Sequence, residues 1–139
     1  MRCLGLDLGT RTLGVAISDK TNTLASFLKV IRFNDDTKNQ MYEELCQIIK
    51  EYNITHVILG LPKNMDNSLG FASQRSIDFK NHLTTLVDVE IILLDERLTT
   101  VEAENILLTA DMSRKKRKKV IDGVAATIIL ETYLRMKGN

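Results

Sequence analysis

Short apolar runs separated by polar turns fill the first part of the chain. Mostly apolar residues occupy positions 3–6 and 13–18, and the short polar turn at 9–12 between them predicts an antiparallel hairpin. Both runs are almost continuous in apolar character, which is typical of strands that are buried on both faces. A third apolar run at 24–33 follows the polar turn at 20–23 and predicts a strand that completes a meander with the first two.

Beyond residue 34 the apolar residues change to a helical spacing. Met41, Leu45, Ile48 and Ile49 fall at i, i+4, i+7 and i+8, so we expect a helix that opens at 35–37 and stops near Asn53. Helical patterns recur at 72–86, at 99–110 and at 120–136. The second of these opens with a T-x-x-E capping box.

Two compact apolar runs at 56–61 and 90–94 predict two further buried strands. The third strand, the first helix and the fourth strand then form a crossover unit with parallel strands. The element order predicts an α/β fold with a mixed five-stranded sheet flanked by helices. Because the chain contains no repeat, linker or low-complexity segment, we expect a single domain over residues 1–139.

The near-neutral charge of the chain conceals an uneven distribution. The net charge is +1, but residues 114–119 read RKKRKK, and removing these six from the 19 Lys and Arg leaves 13 against 18 Asp and Glu, a net charge of −5 for the rest. Such a block usually forms a solvated loop, here between the last two helices, and its alternative role is to attract a phosphate backbone. The cations of this basic segment are Arg114, Lys115, Lys116, Arg117, Lys118 and Lys119.

Cysteine content and hydropathy indicate a cytoplasmic protein. Cys3 and Cys46 lie in apolar or helical context without metal-ligand spacing, which favours free thiols in a reducing compartment. We find no apolar run long enough to span a membrane and no signal peptide, so we expect no membrane partner.

Four acidic residues lie at the ends of predicted elements. Asp7 ends the first strand, Asp95 and Glu96 end the fifth, and Asp122 lies in the first turn of the last helix. Asp7 and Asp95 have an ordinary structural explanation as turn residues, and Asp122 has one as a helix N-terminal carboxylate. Glu96 is harder to explain in this way, because the following helix already has its capping pair in Thr99 and Glu102. If the topology brings the four acids together, they form the oxygen-rich site that Mg²⁺ prefers, and such a site can hydrolyse a phosphodiester.

Four motifs give the chain a resemblance to a known family over nearly its whole length. They are residues 5–10 with 14–19 (GLDLGT and GVAISD), residues 60–66 (GLPKNMD), residues 95–100 (DERLTT), and residues 113–119 running into DGVAA at 122–126. Together they resemble the YqgF family, also called RuvX, the pre-16S rRNA nucleases related to Holliday junction resolvases. The resemblance implies an RNase H-like fold and a nuclease that uses Mg²⁺ or Mn²⁺.

The resemblance also implies roles for individual residues. The acids that match are Asp7, Glu96 and Asp122, with Asp95 adjacent. RNase H-like nucleases generally carry an acid at the end of the fourth strand, where this chain has GLP at 60–62, so Glu96 from the fifth strand would have to serve instead. If the protein is such a nuclease, the candidates for phosphate contacts are Arg11, Arg75, Arg97 and the basic segment. Arg75 has an alternative explanation as a solvated residue of its helix.

Two departures from the family pattern and three functional alternatives remain open. Thr12 stands where relatives commonly have a basic residue, which bears on a substrate contact, and Asn67 stands where they have Gly.

The first hypothesis is an endonuclease acting on structured RNA, most simply the rRNA precursor on ribosomal particles, or on branched DNA. The second is a nucleotide-binding protein of the actin and sugar-kinase type, which 139 residues make too small. The third is a catalytically silent RNA-binding module for ribosome assembly.

Overall fold

The computed structural model describes residues 2–62, 70–96 and 114–137, and within the last segment it describes side chains from residue 124 onward. The predicted loop at 63–68 and the predicted helix at 99–110 lie outside the described residues. The strands are β1 (Cys3–Leu8), β2 (Thr12–Ser18), β3 (Ala25–Arg32), β4 (His56–Leu61) and β5 (Glu90–Asp95), and the helices are α1 (Lys38–Glu51), α2 (Phe71–Leu86) and α3 (Arg114–Met136).

The strands form one mixed sheet in the order β3-β2-β1-β4-β5. The predicted meander is confirmed, since β1, β2 and β3 pair antiparallel and Asp7 lies opposite Gly14. The fourth and fifth strands run parallel to β1. The predicted crossover through α1 therefore joins two strands of the same direction, but β4 pairs with β1 and not with β3. This places β1 in the centre of the sheet.

Alternate residues of β1 serve two separate cores. Leu4 and Leu6 belong to the larger core, on the face that α1 and α2 cover, whereas Cys3 packs on the face that α3 covers. Gly5 lies on the α3 face, where a Cβ atom would come within 2.7 Å of both the Ala126 carbonyl oxygen and the Leu130 Cβ. The missing side chain thus allows α3 to pack directly on the central strand.

The third helix begins earlier than the sequence pattern indicates. It starts at Arg114 and not at residue 120, so the basic segment forms its first turns and the expected loop at 114–119 is wrong. Lys and Arg lose little side-chain freedom in a helix and have good helix propensity, so a run of them extends an existing helix readily. The cations are therefore carried on a regular backbone that continues into the packed part of α3.

Other predicted boundaries are confirmed to within a few residues. Asn53 adopts a left-handed conformation with φ of 54° after α1, and the Ile54 amide donates to the Ile49 carbonyl at 2.9 Å, which ends the helix as expected. In the part of the chain that the structure describes, none of the helices has the length and apolar character needed to cross a membrane. The single domain over residues 1–139 stays a prediction.

Candidate active site

Two carboxyl groups from separate strands meet on the α3 face of the sheet. Asp7 extends from the end of β1, and Glu96 follows the last residue of β5. A hydrogen bond joins the two side chains. Since β4 lies between β1 and β5 in the sheet, the Glu96 side chain has to cross a whole strand to reach Asp7.

Gly60 of β4 makes this crossing possible. A Cβ atom on Gly60 would collide with Glu96 Oε1, would lie 2.9 Å from Glu96 Cδ, and would lie 2.7 Å from Ile129 Cδ1. The Glu96 carboxyl group therefore occupies the space that a side chain on β4 would fill. The fifth strand thus supplies a carboxyl group above the fourth, which is where the resemblance leads us to expect an acid.

The environment of Glu96 disfavours its charged form. Burial raises the pKa of Glu96 to about 8 from an ordinary value of 4.5, and the neighbouring charge of Asp7, the hydrogen bond that protonated Glu96 donates to Asp7 and the charge of Asp95 add to the effect. Two carboxylates in contact in a partly buried site repel each other, so a shared proton lowers their energy. A divalent cation held by Asp7 and Glu96 would neutralise the same repulsion with a larger charge.

The structure separates Asp95 from Glu96. Along β5, Ile91 contributes to the core under α1 and α2, whereas Leu94 contributes to the core under α3. Side chains alternate along a strand, so Asp95 belongs to the series on the α1 and α2 side. It acts on Glu96 as a nearby charge, whereas Asp7 acts both as a charge and as a hydrogen-bond partner.

The backbone of Asp122 belongs to α3, one turn before Ala126, which packs on Gly5 of β1, and its side chain lies outside the described part of the structure. Helix α3 runs antiparallel to β1, since Ala126 contacts Gly5 and Lys137, at the other end, lies near Cys3. Burial raises the pKa of the Cys3 thiol, and the charge of Lys137 opposes this rise. One turn before Ala126, about 6 Å along the axis, corresponds to the roughly 7 Å between Gly5 and Asp7.

The basic segment forms the part of α3 that precedes position 122 by one to two turns. If α3 keeps its direction antiparallel to β1, we expect the backbone of this segment beyond the end of β1, at the same end of the sheet as the acidic pair. Side-chain positions of the segment are outside the described part of the structure.

Two of the three predicted single arginines lie together, on the face of the sheet opposite to the acidic pair. Arg11 and Arg75 line a groove on the opposite face of the sheet, between the β1–β2 turn, α1 and α2. Arg97 lies outside the described residues. Arg11 and Arg75, which are predicted phosphate contacts, therefore lie on the other side of the sheet from the Asp7–Glu96 pair.

The donor set fits a hard divalent cation. Asp7 and Glu96 supply up to four oxygens within contact of one another, and carboxylates are the usual protein ligands of Mg²⁺, which keeps several waters of its own. Within the described residues no group of three or more potential ligands is found, and Asp122, the third predicted ligand, has its side chain outside them. Sequence reasoning missed Gly60, although the absent acid on β4 was the available signal.

Solved structures similar in three dimensions define the class of fold. Thermus thermophilus RuvC in complex with a Holliday junction substrate matches with a TM-score of 0.63 at 13% identity over 99% of this chain and 97% of that chain. The Fowlpox virus resolvase in complex with Holliday junction DNA matches with a TM-score of 0.58 at 18% identity over 100% of both chains. The fold is accordingly that of RuvC-like resolvases, and the predicted RNase H-like fold is confirmed.

Comparison by sequence identifies the family. The family model described as "RuvX: Holliday junction resolvase" matches residues 1–136, so the chain belongs to the RuvX family. It is 51% identical to a "Putative pre-16S rRNA nuclease" of Staphylococcus haemolyticus over 134 residues, which is 96% of this chain and 94% of the relative. A protein of the same name from Oceanobacillus iheyensis is 46% identical over 137 residues, covering 99% of this chain and 100% of the relative. The predicted membership in this nuclease family is confirmed.

Proposed function

We propose that this protein is a divalent-metal-dependent endonuclease that hydrolyses phosphodiesters of structured RNA during maturation of the 5′ end of pre-16S rRNA. The observation that carries the proposal is the contact between Asp7 and Glu96 across Gly60. Two acids held together in a partly buried position cost stability, and such arrangements concentrate at functional sites.

In this proposal Asp7, Glu96 and Asp122 hold Mg²⁺ or Mn²⁺, and Asp95 adds negative charge nearby. The chemistry that such a cation would supply is activation of a water for attack on the phosphodiester and stabilisation of the leaving oxygen. Asp7, on a central strand, fixes the position of the site relative to the sheet. Glu96 gives up its proton when the cation arrives. The burial by α3 and Ile129 limits the access of bulk water to the Glu96 side chain.

The substrate class is supported by the names of relatives and by charge. Relatives at 51% and 46% identity are named for pre-16S rRNA. A basic segment that forms the first turns of α3 suits a polyanion, and attraction to a phosphate backbone does not depend on sequence. We therefore place the reaction in the cytoplasm, on ribosomal particles that carry the rRNA precursor.

A second candidate is hydrolysis of branched DNA, because the matching family model is described as a Holliday junction resolvase. The same acids and cation would serve either backbone. The two functions differ in the nucleic acid that is cleaved, RNA in one case and branched DNA in the other. Parallel cleavage assays with both substrates therefore distinguish the two functions.

The test is cleavage of a 5′-extended 16S rRNA fragment and of a four-way DNA junction, each with Mg²⁺ or Mn²⁺ and with EDTA. We expect RNA cleavage that EDTA abolishes, and loss of at least about 10²-fold in Asp7→Asn, which removes a ligand charge. Glu51→Gln, an exposed acid at the end of α1, is the matched control and should retain full activity. Activity that persists in EDTA or in Asp7→Asn would contradict the proposal, and a functional Asp7→Asn protein would favour the non-catalytic module.

A further inference from the structure

A groove of about 690 Å³ opens on the face of the sheet opposite to the Asp7–Glu96 pair. Its walls are the turn between β1 and β2, the start of α1 and the middle of α2. This volume lies within the range of about 300–1,000 Å³ that is common for small-molecule sites. The lining residues used below are Arg11, Lys38, Tyr42, Arg75, Asp78 and His82.

Positive charge dominates the rim of this groove. Lys38 contacts Asp35 at 3.8 Å, and Asp78 accepts a hydrogen bond from the Gln74 amide at 2.9 Å. Neither Arg11 nor Arg75 has an ion pair or side-chain hydrogen bond with any residue that the structure describes. Two guanidinium groups at one opening that lack a partner among the described residues suit a phosphate, which Arg can bind through two parallel hydrogen bonds.

Stacked rings form one side of the groove. Tyr42 of α1 stacks on Phe79 of α2 with ring centroids 5.2 Å apart and an interplanar angle of 27°. The Tyr42 ring centroid also lies 4.3 Å from that of His82, with an interplanar angle of 57°. Phe79 is buried and His82 is exposed, so the row of rings leads from the core to the solvent. Nucleic-acid-binding proteins use such rings as platforms for unstacked bases.

We propose that this groove binds one unpaired nucleotide of an RNA strand, with its phosphate on Arg11 and Arg75 and its base against Tyr42 and His82. Asp78 then offers an acceptor to the amino group of the base. The proposal rests on the proposed function in one respect only, namely that the protein binds RNA. The shared chemistry is a nucleotide phosphate with a base, and we assign it to a strand and not to a free mononucleotide.

The location favours a strand. Leu8 lines the groove and is the residue next to Asp7, so the groove begins about 3.8 Å along the backbone from the acidic pair. Because neighbouring side chains of β1 point to opposite faces, the groove and the pair lie on the two sides of one sheet edge. A single strand that passes over this edge can contact both, whereas a duplex is too broad and keeps its bases paired.

The test measures RNA binding without cleavage, in EDTA. Fluorescence anisotropy compares a short single-stranded RNA with the blunt RNA duplex of the same sequence. We expect Arg75→Ala and His82→Ala each to weaken binding of the single strand about tenfold and to leave duplex binding unchanged. Arg135→Ala, an exposed arginine at the far end of α3, is the matched control and should change neither.

Salt dependence separates the two parts of the groove. Arg75→Ala should reduce the slope of log K against log salt by about one phosphate contact, whereas His82→Ala should leave the slope unchanged. In the wild-type protein, the ring resonances of His82 should shift on addition of the single strand and not of the duplex. This measurement does not depend on how well the variants fold.

Each outcome has a distinct meaning. If Arg75→Ala and His82→Ala lose equal affinity for the single strand and the duplex, or lose affinity for neither, the groove assignment is wrong. The nuclease proposal would be unaffected by either result. Saturable binding of AMP together with unchanged RNA binding in the variants would assign the groove to a free mononucleotide and overturn the strand assignment. A wild-type protein that binds neither RNA would contradict the proposed function as well.

Discussion

The carboxyl group of Glu96 lies over Gly60, in the space that a side chain on the fourth strand would occupy. This relationship links a residue of β4 that has no side chain to the acid of β5 that reaches across it. It explains how a sheet without an acid at the end of β4 still presents two carboxyl groups in contact. The position of Glu96 therefore depends on Gly60 as much as on its own strand.

Gly60→Ala should impair metal-dependent cleavage without removing any acid. The new methyl group collides with the Glu96 carboxyl group and with Ile129, so Glu96 must turn away from Asp7. Displacement of a catalytic group by about 1 Å costs about 10²-fold in rate, and overpacking costs about 1–3 kcal/mol in the free energy of unfolding. Initial cleavage rates, Mg²⁺ titrations and urea denaturation measure these effects.

A double-mutant cycle controls for general damage. In a Glu96→Ala background the collision with the carboxyl group no longer exists, so adding Gly60→Ala should cost little further activity. If Gly60→Ala lowers activity equally in both backgrounds, the effect does not pass through Glu96 and our account of Gly60 is wrong.

The metal-free protein should lose stability as the pH rises from about 4.5 to about 8. The pKa of Glu96 is raised on folding, so between these values the folded state binds a proton that the unfolded state has released, and stability falls with pH. One pKa unit corresponds to about 1.4 kcal/mol. Because water reaches part of the group and screens it, we expect a loss of about 2 kcal/mol.

Urea denaturation across this pH range measures the loss, with Glu96→Gln as the comparison. The glutamine variant carries no titrating group at 96, so it should lack this pH-dependent loss of stability. Near pH 8 its free energy of unfolding should exceed that of the wild type. Asp7→Asn removes the nearest repelling charge and should reduce the slope. Parallel curves for the wild type and Glu96→Gln would show that residue 96 is not the source.

Metal binding near pH 7 should release about one proton. Glu96 has a pKa of about 8 in the metal-free protein and must be deprotonated to bind a cation, so affinity should rise about tenfold per pH unit up to that value. Calorimetry with Mn²⁺ in two buffers of different ionisation enthalpy counts the protons. Glu96→Gln should reduce the count nearly to zero, and an unchanged count would exclude Glu96 as a ligand.

Local patterns predict most of the elements because burial and helix periodicity act over a few residues. Asp7 could be recognised as unusual within an apolar run, and Asn53 as a helix end. The pairing of β4 with β1 and the crossing of Glu96 over Gly60 depend on strands distant in the sequence, so no local pattern encodes them. The groove near Arg11 and Arg75 likewise exists only once α1 and α2 pack side by side.

The sequence predicts a loop for the basic segment, because like charges in a run repel one another and are best separated by solvent. Because the segment forms the first turns of α3, its cations interact unfavourably with the helix dipole, which lowers the stability of the folded protein. Such a segment is unfavourable for the folded protein alone, and a bound polyanion relieves the cost. The helical position of the segment therefore predicts that removing its cations stabilises the free protein through the helix dipole, which a loop would not predict.

Replacing all six cations of the basic segment by glutamine should weaken RNA binding and slightly stabilise the free protein. Each lost phosphate contact should reduce the slope of log K against log salt by about one, while relief of the repulsion and of the unfavourable dipole interaction should add about 1 kcal/mol to the free energy of unfolding. Anisotropy over a salt series and urea denaturation measure the two effects. Lys20→Gln with Lys50→Gln, at exposed positions outside the segment, is the charge-reduction control. Loss of RNA binding together with loss of stability would instead mean that the cations support the fold, and an unchanged salt slope would mean that they do not contact phosphate.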